Sequence, residues 1–156
     1  MKKYIAIILA ILMSLTFVAC SSEQSDEPEP SEPGQTVDAR LDKLADEGWT
    51  KTADGYAWSE SSDYRTVDLA VSVEGNDLVI EIDNDYGDNN KTMEDTFKED
   101  ASIAAGMAAR WFTDIERITE ESFENLQYTV KIGGKAVASG GMTTAEAQNN
   151  AAEYDD

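Results

Sequence analysis

The sequence predicts an α+β domain: antiparallel β-hairpins forming a meander, with one long α-helix packed on one face. Three observations carry the prediction. Residues 64–73, YRTVDLAVSV, alternate cleanly, with Val67, Leu69, Val71 and Val73 on one face and Thr66, Asp68, Ala70 and Ser72 on the other. That is the period of a half-buried strand, and one polar face per strand is the mark of antiparallel pairing. Second, Leu126, Tyr128, Val130 and Ile132 repeat the alternation before Gly133-Gly134. Third, between these blocks Met93, Phe97, Ala104, Ala108, Trp111 and Ile115 recur at helical spacing, predicting a helix from about 93 to about 117.

The remaining elements follow in chain order. Residues 36–48 read as a short helix: Thr36 caps it, Val37, Leu41 and Leu44 share a face, and Gly48 ends it. In WTKTADGYAWSE (49–60), Asp54-Gly55 is a hairpin turn signal, because both residue types tolerate positive φ. A two-residue turn there puts Trp49, Tyr56 and Trp58 on one face. Glu74-Gly75-Asn76-Asp77 turns the chain into Leu78, Ile80 and Ile82, a returning strand. DNDYGDNNKT (83–92) is a polar loop. In the helix that follows, Glu94, Asp95, Glu99 and Asp100 come early and Arg110 and Arg117 late, an order that suits the helix dipole. Its middle, ASIAAGMAA, is small enough to lie close on a sheet. Val137 is expected to face Val130 across the last hairpin, and Thr143-Thr-Ala-Glu146 is a capping box for a final helix. The end, AEYDD, reads as frayed.

Upstream of the domain the chain has a different character. Lys2 and Lys3 precede an apolar run, Tyr4 to Ala19, the pattern of a secretory signal. The run is shorter than the roughly 20 residues a membrane-crossing helix needs. It ends at Cys20, the only cysteine, which therefore has no partner for an internal disulfide. Phe17-Val18-Ala19-Cys20 resembles the lipobox of bacterial lipoproteins, with Phe17 where the motif has Leu. The resemblance implies cleavage after Ala19 and a diacylglyceryl group on the Cys20 sulfur. Two acyl chains meet the requirement for stable anchoring, so the expected location is the extracytoplasmic face of the cell membrane. Residues 20–35 hold all three prolines and no aliphatic side chain; such a segment buries no apolar surface and reads as a tether spanning at most about 50 Å. The organisation is thus a signal peptide (1–19), a lipidated Cys and acidic tether (20–35), and one domain (36–156).

Composition narrows the function. With 12 basic and 32 acidic residues the net charge is −20, and no basic patch offers itself to nucleic acid. There is no His, which excludes Ser-His-Asp and Cys-His nucleophilic catalysis within the chain and His-ligated zinc. No phosphate-cradling or nucleophile-elbow motif occurs. The sequence therefore reads as a non-enzymatic domain with a binding or accessory role at the cell envelope, its partner a protein, peptide or glycan.

Two candidate sites remain. Asp83, Asp85, Asp88, Asn90 and Glu94 place hard oxygen donors in one short span, the ligand type Ca²⁺ takes. Asp83 and Glu94 have the spacing of positions 1 and 12 of an EF-hand loop, but Gly87-Asp88 reverses that motif's order, and a solvated strand-to-helix loop is the competing reading. Trp49, Tyr56 and Trp58 are the second set, either a platform for a sugar or peptide or part of the core.

The order of elements, with V73-EGNDLVIEID-83 and L126-QYTVKIGGKAVASG-140 as its two hairpins, resembles a domain of unknown function found in small lipoproteins of Gram-positive bacteria. The resemblance spans most of residues 37–142. It implies the same helix, hairpin, long helix, hairpin order and carries no activity.

Overall fold

The structure, a computed structural model, describes residues 37–154. The expected signal peptide (1–19), Cys20, the tether (20–35) and Thr36 lie outside the described residues, as do the last two.

Asp38 opens the domain by accepting the Arg40 N–H at 2.9 Å, and a 3₁₀ helix, Ala39–Glu47, follows. The cap is Asp38 rather than Thr36. Its carboxylate also holds the Arg40 guanidinium at 2.9–3.0 Å, so one side chain fixes both the backbone and the arginine. Leu41 and Leu44, three residues apart, are fully buried. The helix ends at Gly48, as expected, with φ at 85°, a conformation glycine adopts without a Cβ clash.

Six strands form one sheet in chain order: β1 (Thr50–Lys51), β2 (Gly55–Ser61), β3 (Thr66–Glu74), β4 (Asp77–Asp85), β5 (Asn125–Ile132) and β6 (Lys135–Thr143). The class is α+β, with hairpins at β1–β2, β2–β3, β3–β4 and β5–β6. The pairing of β4 with β5 is parallel, so the sheet is mixed and not a pure antiparallel meander. Parallel neighbours require a long crossover, and this one contains a 3₁₀ turn (Gly87–Asn89), α1 (Asn90–Glu99) and α2 (Ala101–Thr119). A polar clamp pins the crossover's return. Glu124 N–H donates to the Asn76 carbonyl at 2.9 Å, Asn76 Nδ2 to Glu124 at 3.0 Å, and Asn125 Nδ2 to Asp77 at 2.8 Å. The first residues of β4 and β5 are thereby held side by side.

The single long helix expected over 93–117 is two helices. Asp100 is extended (φ −132°, ψ 93°); its N–H closes α1 on the Thr96 carbonyl, and its carboxylate accepts the Ser102 N–H at 3.0 Å to start α2. An Asp placed to cap a following turn competes with continued helix. The apolar stripe spans the break: Phe97, Ala104, Ala108 and Ile115 are buried, together with Phe112. The last helix, α3 (Thr144–Tyr154), packs on α2. Its Ala147 and Ala151 are buried, as Gly106 is on α2, so small residues on both helices let them approach. The capping box is present: Glu146 accepts the Thr143 N–H at 2.8 Å, and Glu146 N–H donates to Thr143 Oγ1 at 3.3 Å.

Side chains on the helix-facing side of the sheet align in rows. One row runs Trp58, Leu69, Ile82, Val130 and Ala138. The next, toward the carboxyl end of β4, runs Glu60, Val67, Asn84, Ile132 and Lys135. Two details differ from expectation. A bulge falls between Val130 and Lys131, pairing Val130 with Ala138 and leaving Val137 without a direct partner. The first hairpin turns at Ala53-Asp54, with Thr52 N–H on the Gly55 carbonyl at 2.9 Å, so Gly55 belongs to β2. Its role is proximity rather than positive φ: a Cβ there would lie 1.8 Å from the Val71 carbonyl oxygen. Gly55→Ala should therefore destabilise the domain by about 1–3 kcal/mol or more, read by denaturant unfolding. Gly75→Ala, at a turn with φ 64° and no atom near the new Cβ, should lose only about 1 kcal/mol.

Candidate functional site

At the carboxyl end of β4 the sheet and α2 part to leave a cleft of about 290 Å³. Trp58 on β2 and Trp111 on α2 form its aromatic wall, ring centroids 5.4 Å apart and planes tilted by 54°. Trp49 backs them at 6.2 and 6.4 Å. These are all three tryptophans of the chain, drawn from the residue before β1, from β2 and from α2 into one cluster.

The cleft reaches Asn84. Along β4, Leu78, Ile80, Ile82 and Asn84 face the helices in turn, and all four are fully buried. An amide thus takes the last place in an apolar series. Its Nδ2 donates to Met107 Sδ at 3.5 Å, a weak acceptor. Its Oδ1 is buried and has no hydrogen-bond partner among the described residues. Turning the amide over sets oxygen against sulfur and leaves the N–H groups unpaired instead, so either orientation leaves a group unsatisfied. Such a group typically costs about 1–3 kcal/mol, which makes it a feature that calls for an explanation.

Charged groups line the rest of the cleft: Glu60, Arg65, Arg110 and Asp114. Arg110 Nε lies 3.6 Å from Asp114, and Arg117 holds the other Asp114 oxygen at 3.0 Å. Glu60 and Arg65 differ from these. Among the described residues neither side chain makes a hydrogen bond or ion pair, although both line the same cleft. The turn Ser62–Arg65 sets Arg65 in place by backbone bonds, Ser62 N–H and Oγ both donating to the Arg65 carbonyl at 2.9 and 3.1 Å.

The aromatic set expected from sequence is divided. Trp49 and Tyr56 are core residues, 6% and 2% exposed, and Tyr56 Oη donates to Asp42 at 2.9 Å. Burial, with the Asp42 carboxylate next, raises the Tyr56 phenol above its ordinary value. Trp58 alone is half-buried and lines the cleft. The acidic set is not gathered at one point. Asp83 accepts the Gly134 N–H at 3.0 Å. Asp85 accepts the Gly87 N–H and the Asn90 amide at 2.8 and 2.9 Å, bonds that hold its pKa below the ordinary aspartate value, the first most. Asn90 Oδ1 in turn accepts the Tyr86 N–H at 2.7 Å, and Asp88 is exposed in the 3₁₀ turn. Glu94 is buried on α1 between Lys135, at 2.6 Å, and Lys98, at 3.3 Å. Among the described residues no group of three or more acidic side chains is close enough to share a metal ion.

Sequence reasoning missed Asn84, Trp111, Met107 and the charged rim. The signal for Asn84 was available: continuing the Leu78-Ile80-Ile82 alternation by two residues puts an amide on the buried face. No protein-family model, curated protein or solved structure matches the chain.

Two outcomes follow from this geometry. Asn84→Leu keeps the side chain's branched shape and removes the unpaired oxygen. It should stabilise the domain by about 1 kcal/mol or more, a melting-temperature rise of about 3–6 °C. Glu94, held by Lys135 first and Lys98 next, titrates below the ordinary glutamate value of 4.5 despite the opposing effect of burial. A depressed carboxylate stabilises the fold above its unfolded-state value, and that stability is lost as pH falls through the folded one. Glu94→Gln should therefore flatten the fall of melting temperature on acidification below about pH 5, with little change in slope above it.

Proposed function

We propose that the chain is a lipid-anchored, extracytoplasmic, non-catalytic binding domain that seats a small ligand, free or displayed on a peptide or glycan, in the cleft between Trp58, Asn84 and Trp111. The observation that carries the reading is the Asn84 Oδ1: a fully buried acceptor without a donor, beside an aromatic wall and a charged rim. Concave sites with an apolar lining and a few convergent polar groups are where proteins bind small molecules. A retained, unsatisfied amide is consistent with selection for a ligand over selection for stability. Anchoring rests on the signal-like residues 1–19 and the lipobox resemblance at Cys20; the absence of His supports a role without nucleophilic catalysis. The domain resemblance to small Gram-positive lipoproteins fits the same location.

Ca²⁺ at loop 83–94 is the alternative. It rests on donor type and spacing, and it would have to displace Gly134 from Asp83 and Lys135 from Glu94. It would show as a melting-temperature rise with millimolar Ca²⁺ that Mg²⁺ does not reproduce and that Asp83→Ala abolishes.

The binding reading is tested by tryptophan emission of the full chain in detergent, screened against defined amino acids, amines, monosaccharides and short peptides. At least one compound should shift the emission saturably in the natural protein and not in Asn84→Leu. No response across the set would end the reading. Anchoring is tested separately in a bacterial host: radiolabelled palmitate should enter the natural chain and not Cys20→Ala, and equal labelling of both would refute it.

A further inference from the structure

We infer that the ligand of this cleft is a small zwitterion, an ammonium and a carboxylate on a flat apolar body, of the kind an aromatic α-amino acid presents. The inference deepens the binding reading above and rests on it.

Asn84 lines the floor with its Oδ1 buried and without a donor among the described residues; a small shift of the amide would present that acceptor to an N–H or O–H of a ligand. The rim selects between the two. Glu60 lines the same cleft and has no cationic partner among the described residues. An ammonium supplies three donors and a positive charge, and so serves both Asn84 and Glu60; a neutral hydroxyl serves the amide and leaves the carboxylate as it was. The indoles of Trp58 and Trp111 agree with this choice, because a cation near an aromatic face is attracted by the ring quadrupole and a flat apolar body packs against the same rings.

A simple cation leaves one feature unexplained. Arg65 also lines the cleft without a partner among the described residues, and a lone positive ligand would be repelled by it. A carboxylate on the ligand turns that repulsion into a charge-assisted contact. Arg110, by contrast, is drawn to Asp114 on its own helix. The whole chain, at −20, opposes the approach of a net anion and not that of a zwitterion. At about 290 Å³ the cleft falls at the lower edge of small-molecule pockets, which suits one amino-acid-sized molecule and not an oligosaccharide.

Four probes test this on the full chain in detergent, with tryptophan emission as the readout: phenylalanine, 2-phenylethylamine, 3-phenylpropionate and glucose. Phenylalanine should bind at least tenfold more tightly than any other. Glu60→Gln should weaken phenylalanine and 2-phenylethylamine together. Arg65→Gln should reduce phenylalanine to the affinity of 2-phenylethylamine and leave the latter unchanged or improved. Both side chains are exposed, and an unchanged melting temperature in each variant confirms that the fold is intact. Equal binding of phenylalanine and 2-phenylethylamine would overturn the zwitterion, as would tighter binding of glucose or 3-phenylpropionate; in those cases the cleft remains a binding site of another class. Silence from all four probes also overturns the zwitterion, and the broader screen above then decides whether the cleft binds anything.

Discussion

The parallel pairing of β4 with β5 is the constraint from which the rest of the molecule follows. Two strands running the same way cannot be joined by a tight turn, so the chain must leave the carboxyl end of β4, cross the sheet and return to the start of β5. The crossover carries α1 and α2 and lays them over one face. That face then has to be apolar, and Leu69, Ile80, Ile82, Leu126 and Val130 supply it. The clamp of Asn76, Asp77, Glu124 and Asn125 fixes where the return begins, and with it the register of every inward row. The cleft exists because the cover is incomplete at the end where the crossover departs.

How much of this could be read from the sequence depends on how local each cause is. The alternation in 66–73 and 78–82, the left-handed Gly48, the two-residue turn at Gly133-Gly134 and the Thr143/Glu146 box are decided by neighbours a few residues apart, and all were legible. Direction of pairing was not. Alternation reports which face a residue takes and is silent on whether the next strand runs up or down; here that was settled by contacts between residues 76–77 and 124–125. The break at Asp100 was hidden for a related reason. Its apolar stripe runs on through both helices, while the cap that divides them depends on one carboxylate reaching one N–H. Gly55 carries a turn residue's identity but answers to the Val71 carbonyl across the sheet.

The candidate site divides along the same line. Asn84 was absorbed into a polar loop by composition, although the period of β4 continues through it. Trp111 was placed on the core stripe and does lie there, yet it remains partly exposed beside Trp58. What no local pattern conveys is that these two indoles, the amide and the charged rim meet: they come from β2, β4, α2 and the turn before β3. The acidic composition misleads in the opposite sense. Carboxylates that cluster in the sequence between 83 and 94 are distributed in space, Asp83 and Asp85 on different backbone N–H groups, Glu94 on lysines and Asp88 exposed, while Glu60, which lines the cleft, stands apart from them.

The bulge between Val130 and Lys131 has a meaning beyond the packing of one hairpin. β6 is an outer strand of the sheet, mostly exposed and with a single charged residue, Lys135. An outer strand offers its free N–H and C=O groups to any passing chain, and long flat edges recruit copies of themselves. The lipid anchor proposed above would hold copies of the domain on one surface, where they meet far more often than in free solution and an open edge is a greater hazard. The extra residue opposite Val130–Lys131 interrupts the regular ladder and adds local twist, leaving a neighbouring strand no long straight run to match. The irregular pairing of Val137 thus works as a guard against edge-to-edge pairing between copies of the domain.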